Sequence, residues 1–318
     1  MLRRWFGSIR PTTVIDEEIQ EIVRKLRTMG SEGAAVLITP DHVSQLAETT
    51  PPARLYQMGQ AIFENSRENI AQSLLLWKAA MDKGHLNAKF SYARCLRDGT
   101  GFPKPDPITA TALFKHLYEA KNAWGTYAYA EALNSGEGTR QNKAKAFELY
   151  LACAKADLPP AYMAVANMYA SGQGVEKNTA EAVVWYTKAS SKGDAHAKSI
   201  LGDWYYNGIN VNQDIPLGLE LRRGAASAGV PNALFNMGCL HQAGENVDKD
   251  DSVAYQLFQQ AAMKGHAMAM FNVAIMLRDG IGVAANHDAA KKWLEALAPY
   301  DIHAKEMLDE MVKSNEKS

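Results

Sequence analysis

The sequence predicts an all-α fold, a solenoid built from one helix–turn–helix unit copied along most of the chain. Three observations lead there. A step of 36 residues from Ala161 lands on Ala197, Ala233 and Ala269, and the same step from Gly136 lands on Gly172, Gly208, Gly244 and Gly280. Self-similarity at a fixed period marks one supersecondary unit in tandem. Each copy holds two runs with helical apolar spacing, Ala161–Ser171 and Thr179–Lys192 in the clearest one, joined by the turn GQGVEKN. Two helices of that length cannot bury both apolar stripes alone, so the copies must stack.

Bulk properties narrow the function classes. With 318 residues, 47% hydrophobic and 22% charged, the chain has enough apolar surface for a large core and lacks the composition of a disordered one. The formal charge is −1 and the body holds no Lys/Arg block. An electrostatic grip on phosphate backbones has little to rest on, so no nucleic-acid partner is expected. No stretch of about 18 apolar residues occurs, so no membrane span is expected. The three cysteines, Cys95, Cys153 and Cys239, form no C-x-x-C and cannot all pair, which suits a reducing compartment.

Residues 1–15, MLRRWFGSIRPTTVI, carry Arg3, Arg4 and Arg10 and no acid. On a helix Leu2, Trp5, Phe6 and Ile9 form one apolar stripe, the pattern of a mitochondrial presequence. The alternative is a basic docking arm of a cytosolic protein. Residues 16–52 read as an N-terminal helical extension. Within it Asp16–Met29 is amphipathic, with acids in its first turn and Lys25 and Arg27 near its end, as the helix dipole favours. Gly30 stops it, the following apolar run to Pro40 is ambiguous, and the Pro51-Pro52 pair punctuates the border of the array.

The array is expected over 53–303, with a degenerate unit at 53–87 and full units at 88–124, 125–160, 161–196, 197–232, 233–268 and 269–303. Residues 304–318 supply a capping helix and tail. In each unit helix A ends at a glycine (99, 136, 172, 208, 244, 280), and two residues on stands Gly101, Gly138, Gly174, Asn210, Asn246 or Gly282. A column admitting only Gly and Asn calls for positive φ. Asp106, Asn142, Asn178, Asp214, Asp250 and Asn286 then sit where an N-cap of helix B belongs, each worth about 1 kcal/mol over alanine. Glu181, three after Asn178, suggests a capping box. Helix B carries a small residue four before a bulky one, Ala110/Phe114 through Ala290/Leu294, so neighbouring helices can interdigitate. Arg222 breaks the bulky column, and the same unit has an extra aromatic, Tyr206. The 125–160 unit departs in Gly125, Ala130 and Pro159-Pro160.

These residues resemble the Sel-1-like repeat, a relative of the tetratricopeptide unit. The motif stands here as Ala197, Leu201, Gly202, Tyr205 and Gly208, then as Tyr169, Gly172, Gly174, Val175, Ala182, Trp185 and Tyr186, and closes as Ala261, Ala262 and Gly265. The resemblance covers about six units, 88–303. It implies a right-handed α/α solenoid of six to seven 36-residue repeats, an adaptor role, and helix A lining the concave surface. Positions not needed for stacking would then point into a groove. Arg94, Glu131, Asn167, Asp203 and Cys239 share one column that changes character from unit to unit. Asp98, Asn207 and Asp279 lie a turn later, and Asn236 and Asn272 a turn earlier. Together they make a polar, somewhat acidic stripe for an extended or helical peptide.

Nothing in the sequence asks to be catalytic. The eight histidines are scattered over different units without metal-ligand spacing. His85 and His266 follow unit-ending glycines, a linker position, and the Gly-x-Gly pairs lie between helices, unlike nucleotide loops. No Ser lies in G-x-S-x-G, so no cofactor, metal or catalytic residue is assigned. Cys95 and Cys153 share columns with buried apolar residues, whereas Cys239 is expected to be the accessible thiol. Bacterial proteins with similar repeats that resemble β-lactamases pair cysteines within each repeat, and this chain lacks the pairs. The reading is a non-enzymatic scaffold holding a protein or peptide partner, with membership of a larger mitochondrial complex as one setting and a cytosolic adaptor as the alternative.

Overall fold

The computed structural model describes residues 38–65 and 69–315, with Glu21 and Arg24, and side chains through Met311. The expected presequence at 1–15 and the helix at 16–29 lie outside the described residues, those two positions apart. All regular structure among the described residues is helical. The chain divides into two compact units, one reaching Ala161 and including Gln173–Val175, the other comprising Tyr162–Gly172 and the residues from Glu176 on.

The first unit begins with α1 (Pro40–Thr49), α2 (Pro52–Asn65) and α3 (Ile70–Asp82). The degenerate repeat is thus a helical hairpin, α2 against α3. Trp77 is its fully buried centre, with its indole donating to the Tyr56 carbonyl at 3.3 Å. α1, placed by sequence in an appended region, packs on α3 through buried Val43. Lys83 completes the join by donating to the Ala47 and Thr50 carbonyls, a cation placed where a helix end leaves carbonyls without partners. Two full hairpins follow, α4 (Leu86–Asp98) with α5 (Pro107–Glu119) and α6 (Ala123–Ser135) with α7 (Lys143–Lys155).

The second unit continues the plan. Its hairpins are α8 (Pro159–Ser171) with α9 (Thr179–Ser191), α10 (Ala195–Asn207) with α11 (Ile215–Ser227), α12 (Pro231–Ala243) with α13 (Asp251–Ala262), and α14 (Ala267–Asp279) with α15 (His287–Leu297). A final A-type helix, α16 (Ile302–Asn315), packs on α15. One core runs through this unit from Tyr206 to Met311.

The turn chemistry follows the column reading. The six helix-ending glycines have φ between +67° and +82°, and the next column, Asn210 and Asn246 included, lies between +56° and +79°. Glycine in that second column also answers to space: a Cβ on Gly138 would overlap the Pro107 carbonyl, and one on Gly282 the Asp251 carbonyl, each at the start of the preceding helix B. Each B-helix cap accepts from its N3 amide, as Asp106 does from Thr109 and Asn286 from Ala289. The capping box at Asn178 is half made. Glu181 donates its amide to Asn178 Oδ1 but turns its carboxylate to the Trp185 indole at 3.2 Å. Asn178 N–H instead donates to the Tyr169 carbonyl, and all six caps make the equivalent bond back to helix A at 2.7–2.9 Å. That bond closes the turn, so the reciprocal carboxylate has no amide left to serve.

Helix A starts two residues earlier than the expected unit borders. Pro159 opens α8, since a first-turn residue needs no amide proton. His85 and His266, read as linkers, are N-caps of α4 and α14: their Nδ1 atoms accept from Ala88 and Ala269 amides at 3.1 and 3.2 Å. Each ring also stacks on an aromatic, Tyr56 at 4.8 Å and Phe235 at 4.5 Å. Burial lowers both imidazole pKa values.

Candidate interaction surface on the A helices

In two repeats the changeable A-helix column meets the bulky column of its own helix B, 19 residues on, through a side-chain hydrogen bond. The structure therefore pairs residues that the sequence reading treated as free for a partner. In the second unit, Asn167 Oδ1 accepts from the Tyr186 hydroxyl at 2.7 Å. Asp203 Oδ1 accepts from Arg222 Nε at 2.8 Å and from Asn236 Nδ2 at 2.9 Å, tying α10, α11 and α12 together. Cys239 is half-buried, and burial raises its thiol pKa. Cys95 and Cys153 are buried, as their columns suggested, with thiols pushed up to about 12 and about 11.

The Arg222 anomaly has a local cause. Gly202 and Gly218 bring α10 and α11 into backbone contact: a Cβ on Gly218 would lie 2.5 Å from Tyr206 N, and one on Gly202 2.9 Å from Arg222 N. Arg222, 5% exposed, lays its guanidinium 4.0 Å from the Tyr206 ring centroid. The Tyr206 hydroxyl donates to Glu245 at 2.9 Å and accepts from Asn246 at 2.9 Å, so the Asn that replaces glycine in the next turn gains a partner.

The first unit shows a different pattern. Arg94 is 8% exposed and lies 5.9 Å from the Phe90 ring, so it is mostly withdrawn from any groove. Burial lowers its pKa and Asp98 opposes that shift. Glu131 on α6 accepts from Arg97 on α4 at 3.3 Å, and Arg97 also donates to Asp98 at 2.8 Å. Burial holds the Glu131 carboxyl above the usual range, with Arg97 pulling it down. Arg97 was missing from the sequence reading; its mate in the last repeat, Arg278, likewise binds the following Asp279 at 2.6 Å.

Residues at the ends of the A helices are divided. Asn207 folds back to the Asp203 carbonyl at 2.9 Å, as Ser135 and Ser171 do to Glu131 and Asn167. These are back-bonds to the i−4 carbonyl, which also accepts the helix amide of the same residue, and they hold the side chains against their own helix. Asp98, Asn207 and Asp279 remain exposed, as does Asn167. Asn272 lines an open groove of about 470 Å³ between α14 and α16, together with Met268, Phe271 and Met307. Its other walls were not anticipated, because α16 was read only as a cap.

Stacked antiparallel helix pairs whose inner columns pack and whose A-helix columns vary define an α-solenoid repeat protein. The chain belongs to the Sel1 repeat family: the Sel1 repeat matches residues 86–120, 125–157, 159–194, 195–230, 231–266 and 267–298. Proteins of this family generally mediate protein–protein interactions and are typically non-catalytic.

Two solved structures share the fold. A protective antigen of uropathogenic Escherichia coli displaying an SLR fold is similar at 23% identity and TM-score 0.65, over 91% of this chain and 66% of its own. A Sel1 repeat protein from Oxalobacter formigenes is similar at 20% identity and TM-score 0.68, over 77% of this chain and 100% of its own. No curated protein matches the chain. No helix among the described residues is long and apolar enough to cross a membrane.

Proposed function

We propose that this protein is a non-enzymatic adaptor that holds a protein partner on the exposed face of its A helices. The observation that carries the proposal is a division of labour within each repeat. Turn glycines, B-helix caps and the small/bulky columns are taken up by architecture, while Asp98, Asn207 and Asp279 are exposed at the ends of the A helices, in a column that holds Asp, Asn, Ser or Ala from copy to copy. Side chains that stacking does not constrain are available for recognition. Affinity capture with Asp98→Arg, Asn207→Arg and Asp279→Arg combined tests the face. Loss of co-purifying partners with an unchanged melting temperature is expected, and an unchanged partner set would sink it. Arg94 is a poor test residue, because reversing a buried charge would perturb the fold itself.

The proposed setting is a mitochondrial assembly, on the strength of the basic amphipathic pattern at 1–15. Fusing residues 1–30 to a fluorescent protein tests this. Mitochondrial signal is expected, and diffuse signal would favour the cytosolic adaptor with a docking arm.

A further inference from the structure

We infer that the groove between α14 and α16 is a docking subsite for a basic partner segment, one that presents an apolar side chain flanked by Lys or Arg. This rests on the protein-binding reading above and names the partner chemistry at one place on that face. The floor is Met268, Phe271 and Met307, and Met268 is 64% exposed. Methionine side chains adapt to varied apolar groups, so this small floor can receive one apolar side chain.

The rim is Asp301, Glu306 and Glu310, and no Lys or Arg lines the groove. Asp301 caps α16 by accepting from the His303 and Ala304 amides, which leaves its charge at the mouth. Glu306 approaches His303 at 3.5 Å as an exposed i,i+3 pair, so the single imidazole faces three carboxylates. Arg278, whose field reaches Glu310, spends its fork on Asp279. The groove is therefore negative and wants a cation. These side chains do not converge on a point, for no group of three His, Cys, Asp or Glu among the described residues could hold a metal ion. A spread of carboxylates over an apolar floor fits a peptide with separated charges.

The test uses the full chain and two labelled helical peptides, Ac-LKKLLKLLKKL-amide and Ac-LEELLELLEEL-amide, with fluorescence anisotropy as the readout. The basic peptide should bind and the acidic one should not. Glu306→Lys with Glu310→Lys should weaken binding about tenfold or more, and Met268→Ser should weaken it without changing the charge. Glu119→Lys with Glu148→Lys, exposed acids of the first unit, should leave affinity within about twofold. Equal losses in both charge-reversed pairs, no loss in the groove variants, or no binding of the basic peptide would overturn the inference. Circular dichroism and melting curves of each variant separate lost docking from lost folding. A native partner that depends on Asp98, Asn207 and Asp279 but ignores Glu306→Lys/Glu310→Lys would overturn this subsite and leave the adaptor reading standing.

Discussion

Two residues with imidazole side chains do work that a backbone-capping amide does elsewhere. His85 and His266 accept the cap bond through neutral Nδ1, and burial holds both below the ordinary histidine pKa of 6.5. Below pH 6.5 the unfolded chain binds more protons than the folded one, so their contribution is full above that pH and declines as pH falls. Melting temperatures at pH 7.5 and 5.5 should show a drop that flattens in His85→Asn/His266→Asn, which installs a capping amide like that of Asn122. An unchanged slope would refute the cap account. A second residue-scale prediction concerns Arg222. Removing one partner of a buried pair leaves a charge uncompensated, a loss of about 3–5 kcal/mol when both groups are fully buried. Asp203 keeps some contact with water, so Arg222→Met alone should cost about 2 kcal/mol, and Arg222→Met with Asp203→Asn should recover most of it. Denaturant unfolding of the single and double variants measures the coupling.

At the scale of the element, the helix–turn–helix unit is closed by one left-handed pair and one backbone bond from the B-helix cap to helix A. Gly84 and Gly282 both have positive φ, yet a Cβ on Gly84 meets nothing within 4 Å and one on Gly282 meets the preceding helix B. Gly84→Ala should therefore cost about 1 kcal/mol, from backbone strain alone. Gly282→Ala should cost more, because the turn must also move away from Asp251. Equal losses in a urea titration would show that the close approach is unimportant. In the second column, which holds Gly282, Asn246 is also at positive φ and spends its amide on the Tyr206 hydroxyl.

At the largest scale, the contacts within each compact unit run mostly between consecutive helices, with α1 on α3 as an added contact in the first. A stack of nearest-neighbour contacts spreads a local defect weakly. Asp250→Ala, which removes the cap of α13, should lower hydrogen-exchange protection mainly in α12 to α14 and leave α2 to α4 nearly unchanged. Uniform loss of protection would instead mean that the array unfolds as one cooperative body.

Much of this fold was legible from residue order, because period, turn glycines, caps and the small/bulky alternation are local or repeat at a constant step. Cys95 and Cys153 fell into buried columns for the same reason. What the column method could not see was the contact across a hairpin. Asp203 and Arg222 are 19 residues apart in sequence and 2.8 Å apart in space, and only the break that Arg222 makes in the bulky column hinted at the pair. Arg94 looked like a groove residue and is buried, since a long stem can cover apolar surface from a polar column. The groove at Asn272 needed α16 to be placed beside α14, which no single repeat specifies. The repeat, its turns and its stacking follow from residue order, because their causes lie within one unit's reach. Which polar side chains are already spoken for depends instead on distances between helices, which residue spacing does not encode.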